Sequence, residues 1–337
     1  MILALKRLVS TKFFFSTAFV LIGAATWLFT PRMVHVEGPV FGTTYKVVVV
    51  APKVSLTNAS LKALIEHELA RLNAIYSSYL PSSELSQFNR HRHSEPFEVS
   101  AELHAFFTQS KQWHARLNGA WDPTLGPLSR AYGLQPTMND TPQSPADIRV
   151  GLEFITVMPN LRIKKQYPTL EVDFSSNAKG HAVDQLITLI RKKRGIKGVF
   201  VDIGGEIRTL GHKGNGAPWR VGIQHPVIGN GPLMIVAGNQ LVVASSGNYL
   251  NRASAVGHIL DPRTKGPVTH HLVAVTVMAS TCRDADTLAT GLFVMGHDGA
   301  SNWLKDHPEY PALLVTKRPD GGIITHPLNG FMAHVDQ

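Results

Sequence analysis

The chain has almost no cysteine and no repetition. Cys282 is the only cysteine among 337 residues, so no internal disulfide can form even in an oxidising compartment. Repeats of fixed period and low-complexity stretches are also missing, and the 28 glycines and 21 prolines are spread along the chain. This argues against a solenoid or a long linker. A hydrophobic content of 44% suffices for a buried core, and we expect one compact, many-looped unit.

Acidic residues are scarce, with 24 Asp and Glu against 33 Lys and Arg, which gives a net charge of +9. Such an excess raises the question of a nucleic-acid partner. Three of the positive charges, however, precede an N-terminal apolar run. The only dense basic cluster, RKKR at 191–194, lies at the predicted end of a helix, where cations complement the helix dipole. We therefore predict no nucleic-acid partner.

Long hydrophobic runs are absent except at the N-terminus. Lys6, Arg7 and Lys12 precede FFFSTAFVLIGAATWLFT (13–30), a pattern typical of an export signal. We predict that residues 1–33 form a signal anchor or a cleaved signal peptide. In both cases positive charges stay inside and residues 34–337 are exported. The protein is then anchored in the inner membrane facing the periplasm, or is periplasmic if the signal is cleaved.

Apolar periodicity predicts the order of elements in the exported part. The predicted series is a strand over 42–51, helices over 61–76 and 100–117, a strand ending near Asp173, a helix over 177–194, a run of strands over 199–277, a helix over 280–296, and then a shorter helix and two short strands. Between them, 77–89 is predicted to be a polar loop with a turn at 81–83, and 135–145 is the most linker-like stretch. Strands in the middle, with helices before, between and after them, indicate an α+β fold.

The stretch FVDIGGEIRTLG (200–211) carries paired glycines after a β-branched segment. It lacks the G-x-G-x-x-G spacing of a dinucleotide fingerprint, and no helix pattern follows Gly205. Strand, glycine pair and strand instead indicate a hairpin or bulge, where the backbone passes close to either a ligand or another strand.

Two further stretches each allow a functional and a structural interpretation. In DFSSNAKGHAVD (173–184), a helix start could receive a phosphate while the carbonyl near Ser176 faces a metal. Alternatively, Ser175 or Ser176 simply caps that helix. In GHILDPRTKGPV (257–268), His258 is either a general base, since histidine exchanges protons near neutral pH, or a hydrogen-bonded turn residue.

The stretch STCRDADTLATGLFVMG (280–296) predicts an amphipathic helix with one buried stripe. Beside that stripe, Asp286 and Thr290 are four residues apart and therefore lie one turn apart on the same side. A carboxylate and a hydroxyl that point into one small volume can hold a hard cation.

Together these stretches resemble the ApbE family of FAD:protein FMN transferases over about residues 40–300. The resemblance is carried, in family order, by FGTTY, SSYLPSSELSQFN, GAWDPTLGPL, DFSSNAKGHAVD, VDIGGEI, WRVGIQHP, ASSGNYLNR, GHILDPRTKGP and ADTLATGLFVMG. It implies an ApbE-like α+β fold, with mixed β-sheets, flanking helices and two subdomains around a central FAD cleft. On this basis 34–337 is predicted to be one transferase domain.

The resemblance also implies a magnesium site and a flavin site. The implied Mg²⁺ ligands are Asp286, Thr290 and the main-chain carbonyl of Ser176. The implied FAD-binding residues are Phe41, which stands where the family usually has methionine, and Tyr79, Ala120, Trp121, Asp122, Asp173, Lys179 and Ile259. His258 is the implied catalytic base, with Asp261 as the reserve candidate.

The implied activity is Mg²⁺-dependent transfer of FMN from FAD, as substrate, to a threonine of an exported acceptor protein, with release of AMP. Acceptors of the family carry a segment such as Asp-Gly-x-Thr-Ser-Gly-Ala-Thr and are customarily exported electron-transfer subunits. Two alternatives use the same site. The protein could hydrolyse FAD to FMN and AMP, or it could be a flavin-binding carrier without catalysis.

Overall fold

The computed structural model describes residues 30–135, 144–227, 229–248 and 259–336. In these ranges no helix has both the length and the apolar character needed to span a bilayer. Nearly all of the predicted export segment, most of the linker-like stretch and His258 lie outside the described residues. The first strand begins at Pro31, so the described fold includes the last three residues of the segment 1–33.

The fold is built on one eight-stranded sheet. The strands are β1 Pro31–Val40, β2 Thr43–Pro52, β3 Phe97–Glu98, β4 Ile155–Met158, β5 Arg162–Lys165, β6 Gly198–Ile203, β7 Glu206–Gly211, β8 Trp219–Ile223, β9 Met234–Gly238, β10 Val242–Gly247, β11 Leu260–Asp261, β12 Gly266–Pro267, β13 Leu272–Met278, β14 Ala312–Lys317 and β15 Ile323–Leu328. The large sheet has the order β1-β2-β6-β7-β10-β13-β14-β15, and β3-β5-β4, β8-β9 and β11-β12 form small sheets. Each pairing between these described strands is antiparallel.

Six α-helices accompany the strands in the described ranges. They are α1 Asn58–Tyr76, α2 Glu84–Arg90, α3 Ala101–Arg116, α4 Gly126–Ala131, α5 Ala178–Arg191 and α6 Cys282–Asp306, and short 3-10 turns lie at Pro123–Leu125, Pro145–Asp147, Leu152–Phe154 and Phe331–His334. Helix α6 is broken at Gly296, whose φ of 73° is not helical. The α+β class predicted from the order of elements is confirmed.

The large sheet buries both of its faces, because successive side chains of a strand point to opposite sides. Val47 and Val49 of β2 belong to the main core, which also contains the buried stripes of helices α1, α5 and α6. Val48 and Val50 of the same strand pack with Trp219 of β8. One face is therefore covered by helices, and the β8-β9 ribbon packs on the other.

Most predicted elements are observed within a few residues of their expected bounds, but two expectations are wrong. The polar loop 77–89 contains helix α2, which begins at Glu84 because the Ser83 hydroxyl caps the amide of Ser86. The strand predicted to end near Asp173 ends instead at Lys165. In place of a strand partner, the amide side chain of Asn89 bonds both the N–H and the C=O of Val172.

Two hairpin turns meet at one end of the sheet. Phe41 and Gly42 join β1 to β2, and Gly204 and Gly205 join β6 to β7. All four have positive φ, as the tightest two-residue hairpin loops require. The Gly204 amide donates to the Thr44 carbonyl over 3.1 Å, so the turns lie side by side. The hairpin alternative for 200–211 is thereby confirmed.

Helices α5 and α6 cross so closely that only glycine fits at the contact. A Cβ on Gly180 would lie 2.4 Å from the Cys282 carbonyl oxygen, a distance that no real side chain tolerates. Asp184 of α5 accepts the amides of Cys282 and Arg283, which fixes the start of α6. The first turn of α5 is thus held against the side of α6 that carries Asp286.

Candidate functional site

One cavity of about 550 Å³ lies between the two hairpin turns, α5 and α6, a volume within the range of ligand pockets. Eleven residues proposed from the sequence line it: Phe41, Tyr79, Ala120, Trp121, Asp122, Asp173, Ser176, Lys179, Ile259, Asp286 and Thr290. They come from segments as far apart in sequence as β1-β2 and α6. The structure therefore brings together every proposed site residue that it describes, apart from the reserve candidate Asp261.

A lysine between two carboxylates forms one wall of the cavity. Lys179 Nζ lies 2.6 Å from Glu206 Oε1 and 3.9 Å from Asp286 Oδ1. Glu206 and Asp286 are 2% and 3% exposed, so water contributes little to their solvation. Two carboxylates share one ammonium group, and when all three are ionised the cluster has one negative charge left over.

Burial and charge act in opposite directions on this cluster. Burial opposes the charged form of Lys179, but the carboxylates of Asp286 and Glu206 outweigh that effect and raise its pKa. The pKa values of Glu206 and Asp286 are raised, first by burial, and the charge of Lys179 only partly compensates. Both carboxyl groups thus lack the stabilisation that a further cation would bring.

Several oxygen atoms of this wall remain available to a ligand. Asp286 Oδ2 accepts the Gly180 amide over 3.1 Å, whereas Oδ1 has only the distant Lys179 ammonium. The Thr290 hydroxyl lies 3.1 Å from the Ser246 hydroxyl, and either can be the donor. Glu206 Oε2 is buried and has no hydrogen-bond partner among the residues that the structure describes.

Neither serine of the 173–184 stretch caps helix α5. The N-cap residue is Asn177, whose side chain makes no cap hydrogen bond and has both polar atoms buried without a partner. The Ser176 hydroxyl accepts the indole N–H of Trp121 over 3.0 Å. The structural alternative for this stretch is therefore not observed, and Asp286 binds a first-turn amide of the helix instead.

Trp121 and Asp122 are buried behind the cavity wall and hold its segments in place by hydrogen bonds. Trp121 is 1% exposed and supports Ser176 through its indole N–H, so little of its ring is free for stacking. Asp122 accepts the amides of Thr124 and Leu152. Its carboxylate thus holds the loop that carries Ala120 and Trp121, and both of its oxygens are engaged.

Tyr79 and Phe41 present aromatic surface at the edges of the cavity. Tyr79 is 49% exposed; burial, followed by the charge of Asp173, raises its pKa to about 12. The phenol is therefore neutral over the physiological range. Phe41 has a φ of 48°, a conformation that costs a bulky residue roughly 1–2 kcal/mol. Such strain concentrates at functional sites.

Asp173 is fixed by its neighbours. Its Oδ1 accepts the Ser175 amide over 2.9 Å and its Oδ2 accepts the side-chain amide of Gln135 over 2.6 Å. Ile259, by contrast, contributes an apolar, partly buried side chain. Asp173 and Ile259 thus add one polar and one apolar side chain to the lining that also contains Glu206 and Asp286.

The predicted base, His258, lies outside the described residues, although its neighbour Ile259 lines the cavity. The reserve candidate Asp261 is described. Both of its oxygens accept the Arg263 guanidinium, over 2.9 and 2.8 Å. Burial acts to raise the pKa of Asp261, but these bonds outweigh it and lower the pKa. Asp261 is thus a poor proton acceptor.

A second group of possible metal ligands adjoins the cavity. Donor atoms of His114, Asp122 and Glu153 lie within 4.8 Å of one another. His114 is 3.3 Å from Asp122 and 3.4 Å from Glu153, and Asp122 already binds two amides. His114 Nδ1 also lies 3.0 Å from the Trp121 carbonyl oxygen, and we interpret this group as a structural support of the Asp122 loop.

The sequence analysis missed Glu206. Glu206 lines the same cavity and pairs with Lys179. It lies in a strand, and the sequence around it does not show that a lysine of a distant helix is its partner. The available signal was the VDIGGEI stretch itself. An acidic residue directly after a glycine turn, in a strand otherwise buried, has to find a cation or a ligand.

Comparisons with known proteins agree with this geometry. A family model described as the ApbE family matches residues 41–314. The FAD:protein FMN transferase of Vibrio cholerae is 34% identical over 301 residues, which cover 86% of this chain and 89% of that protein. The enzyme of the same name from Haemophilus influenzae is 32% identical over 317 residues, with 89% and 91% covered.

Solved structures show the same fold. The flavin transferase ApbE from Vibrio cholerae superposes with a TM-score of 0.80 at 32% identity and covers 90% of this chain and 99% of its own. The apo form of the Pseudomonas stutzeri flavinyl transferase ApbE also gives a TM-score of 0.80, at 28% identity, with 91% and 98% covered.

Proposed function

Because this chain belongs to the ApbE family, we propose that it transfers FMN from FAD to a threonine of an acceptor protein. It is a transferase, as its relatives are named. FAD is the substrate, AMP leaves, and the product is a phosphoester of the acceptor threonine. The observation that carries the proposal is the single cavity lined by all eleven described site residues.

The donor atoms of the carboxylate wall fit a magnesium ion. Asp286 Oδ1 is free of close hydrogen bonds, Thr290 adds a hydroxyl one turn further on, and the cluster lacks one positive charge. Mg²⁺ takes a few protein oxygens and completes its shell with water and phosphate. Asp286, Thr290 and the main-chain carbonyl of Ser176 would hold it, and once bound it supplies charge neutralisation to the pyrophosphate.

The remaining parts of the reaction fall to this chain's own residues. Lys179 offers its ammonium group to the pyrophosphate, and Glu206 holds that group in place over 2.6 Å. Tyr79 and Phe41 offer aromatic surface to the flavin or the adenine. Trp121 keeps the Ser176 segment in position.

The chemical step exchanges the phosphoanhydride bond of the FAD pyrophosphate for a phosphoester bond to the acceptor threonine. The threonine oxygen of the acceptor forms a bond to the FMN phosphorus while the bond from that phosphorus to the bridging oxygen breaks, and AMP departs with the bridging oxygen. The hydroxyl proton passes to His258, since an un-ionised threonine is a weak nucleophile. We place this reaction outside the cytoplasm, with residues 1–33 as anchor or cleaved signal, and expect the acceptor to be an exported protein.

Full-length protein incubated with FAD, Mg²⁺ and a carrier protein fused to Asp-Gly-x-Thr-Ser-Gly-Ala-Thr tests the proposal. Flavin fluorescence on the carrier after denaturing electrophoresis, with one AMP per label, is the expected result. Release of AMP without a labelled carrier protein would indicate FAD hydrolysis. If neither AMP nor label is formed, this protein is instead a flavin-binding protein without catalysis.

Two controls sharpen this experiment. A carrier protein with valine in place of the target threonine should show no flavin fluorescence, because valine has no hydroxyl. Chelation of divalent metal should stop the labelling, and Mg²⁺ should restore it. Labelling of the valine carrier would refute threonine as the acceptor.

A further inference from the structure

A second cavity lies beside the first one and opens on the opposite side of the large sheet. This groove, of about 350 Å³, is bounded by Thr44 and Lys46 of β2, the Gly204–Gly205 turn and the residues Val221–Gln224 at the end of β8. Thr44 and Lys46 alternate with Tyr45 and Val47 of the main core. They therefore face the β8-β9 ribbon, whereas Lys179 and Asp286 come from the helices on the other side.

The two cavities meet at a window in the sheet. Gly204 and Ser245 line both of them. Strand β7 begins at Glu206 and pairs with β10 only through Val242 and Val243. In the described part of the chain, no strand accompanies the rest of β10, up to Gly247, on that side. Among the described residues, the sheet is therefore open between this strand edge and the β6-β7 turn.

The window lies directly beside the carboxylate wall. A Cβ built on Gly204 would lie 3.4 Å from Glu206 Oε2, the buried oxygen that has no hydrogen-bond partner. Gly204 itself has no side chain, and its φ of 66° strains any other residue. The turn thus places no side chain of its own between Glu206 and the groove, and the nearest side-chain atom there is Thr43 Cγ2, 2.9 Å from the position of such a Cβ.

The in-line geometry of the proposed reaction favours a second entrance. In phosphoryl transfer the attacking and leaving oxygens lie roughly in line on opposite sides of the phosphorus. The leaving nucleotide and the flavin occupy the main cavity, so the threonine has to arrive from another direction. The groove supplies that direction at the wall which holds the pyrophosphate.

Another side cavity, of about 280 Å³, does not meet this requirement. It joins the main cavity through Tyr79, Gly126, Gln135 and Asp173 and contains Arg90, Arg92 and Arg130. Lys179, Glu206 and Asp286 line neither this cavity nor the groove, but the groove meets the main cavity at Gly204, two residues from Glu206. A threonine lying there would enter the main cavity beside Tyr79 and Asp173, away from the Gly204 turn.

From this geometry we infer that the groove binds the threonine-bearing segment of the acceptor protein, which reaches the reaction centre through the window at Gly204 and Ser245. The inference rests on the proposed function. The bound segment is extended, because the free edge of β10 offers backbone hydrogen bonds to an added strand. Residues next to the threonine are small, because the window lies between a glycine turn and a serine.

Blocking the groove should impair acceptor binding alone. Thr44 and Gln224 are exposed and line the groove but not the main cavity. In Thr44→Trp and Gln224→Trp the indole should fill the groove and raise the KM for the fused carrier protein about tenfold or more. The Kd for FAD, measured by flavin fluorescence, should stay within about twofold of wild type, because the main cavity is untouched.

A matched control is Thr156→Trp, an exposed threonine on strand β4 outside all three cavities. It should match wild type in both constants. A wild-type KM in both groove variants, with transfer intact, would overturn the inference and leave the proposed function standing. An equal rise of the FAD Kd would assign the groove to FAD and overturn it as well. Failure of wild type to label the carrier would instead reject the proposed function.

Discussion

Two ion networks in this protein each place one basic side chain between two carboxylates, but they differ in burial and in hydrogen bonding. Arg71 lies between Glu68 and Glu102 where α1 meets α3, and Lys179 lies between Glu206 and Asp286 in the cavity. Arg71 donates four hydrogen bonds of 2.5–3.2 Å to its two carboxylates. Lys179 is close to only one of its carboxylates.

The comparison teaches how the same three charges become either a structural contact or a binding site. A planar guanidinium matches two carboxylates at once, whereas an ammonium group is a point charge. In the Arg71 network the carboxylates are partly exposed, and water completes their solvation. In the Lys179 network both carboxylates are buried and, among the described residues, Glu206 Oε2 has no hydrogen-bond partner, so a cation, a ligand or a bound proton would complete it.

The pKa values follow the same division. His181 and then Arg71 lower the pKa of Glu102 to about 2 against the opposing effect of its burial. In the cavity, burial prevails and raises the pKa of both Glu206 and Asp286. The four predictions below test this difference, from the largest expected effect to the smallest.

Asp286→Asn should have the largest effect. The amide oxygen can still accept the Gly180 N–H, but the charge is lost and Lys179 then balances Glu206 alone. We expect transfer to fall on the order of 10²- to 10³-fold, which corresponds to several kcal/mol of lost metal stabilisation. Mg²⁺ binding followed by calorimetry should weaken in parallel. Asp284→Asn on the same helix is the control, because the asparagine keeps an acceptor for Trp113. Equal Mg²⁺ affinities of Asp286→Asn and wild type would contradict the assignment.

Lys179→Arg should change the cavity network so that the basic side chain binds both carboxylates, as Arg71 does in the other network. A guanidinium can reach Glu206 and Asp286 together and would occupy the oxygen atoms that a cation needs. We expect transfer and Mg²⁺ affinity to fall about 10- to 100-fold, as for other changes beside metal ligands, while the free energy of unfolding is kept or increased. An Mg²⁺ affinity equal to that of wild type, measured by calorimetry, would contradict the prediction that a guanidinium occupies the oxygen atoms which bind the cation.

Arg71→Lys is the reverse exchange in the other network. Lysine cannot form the two-armed contacts, so the protein should lose about 0.5–1 kcal/mol of unfolding free energy, a small amount because this network is partly exposed. Urea unfolding measures the loss. Transfer at saturating FAD and acceptor should equal that of wild type, and a drop in the rate of the folded variant would link the two networks.

Glu102→Gln should produce the smallest effect, and that effect should depend on pH. The carboxylate has a pKa of about 2 in the folded protein and about 4.3 in an unfolded chain. A lowered pKa stabilises the folded state fully above the unfolded value, and this contribution disappears as the pH falls toward 2. The variant should therefore be less stable than wild type above about pH 5, by less than about 1 kcal/mol. Urea unfolding at several pH values should show the difference vanish near pH 2, and a difference independent of pH would refute it.

The sequence predicted a large part of the fold because periodic patterns are local. The helix over 61–76, the glycine hairpin at 200–211 and the helix that carries Asp286 and Thr290 each depend on residues a few positions apart. The strand expected near Asp173 failed for the opposite reason. Its backbone partner is the side chain of Asn89, more than 80 residues earlier, and no local pattern announces it.

The candidate site divides in the same way. The spacing of Asp286 and Thr290 on one helix face was visible in the sequence, and the family resemblance placed the remaining residues. The pairing of Lys179 with Glu206 was not visible, because a helix and a strand supply the two side chains. The support that Trp121 gives to Ser176 joins segments 55 positions apart and was also missed.

The sequence by itself determined the elements, the glycine turns and the neighbouring oxygen donors of one helix, since each follows from local spacing and backbone chemistry. Only the tertiary structure decided that two carboxylates are buried with a single lysine and that the sheet has a window beside them. Burial and unpaired strand edges depend on how distant elements pack, because desolvation is set by everything that surrounds a group. The excess negative charge of the ionised cluster is therefore a property of the assembled fold.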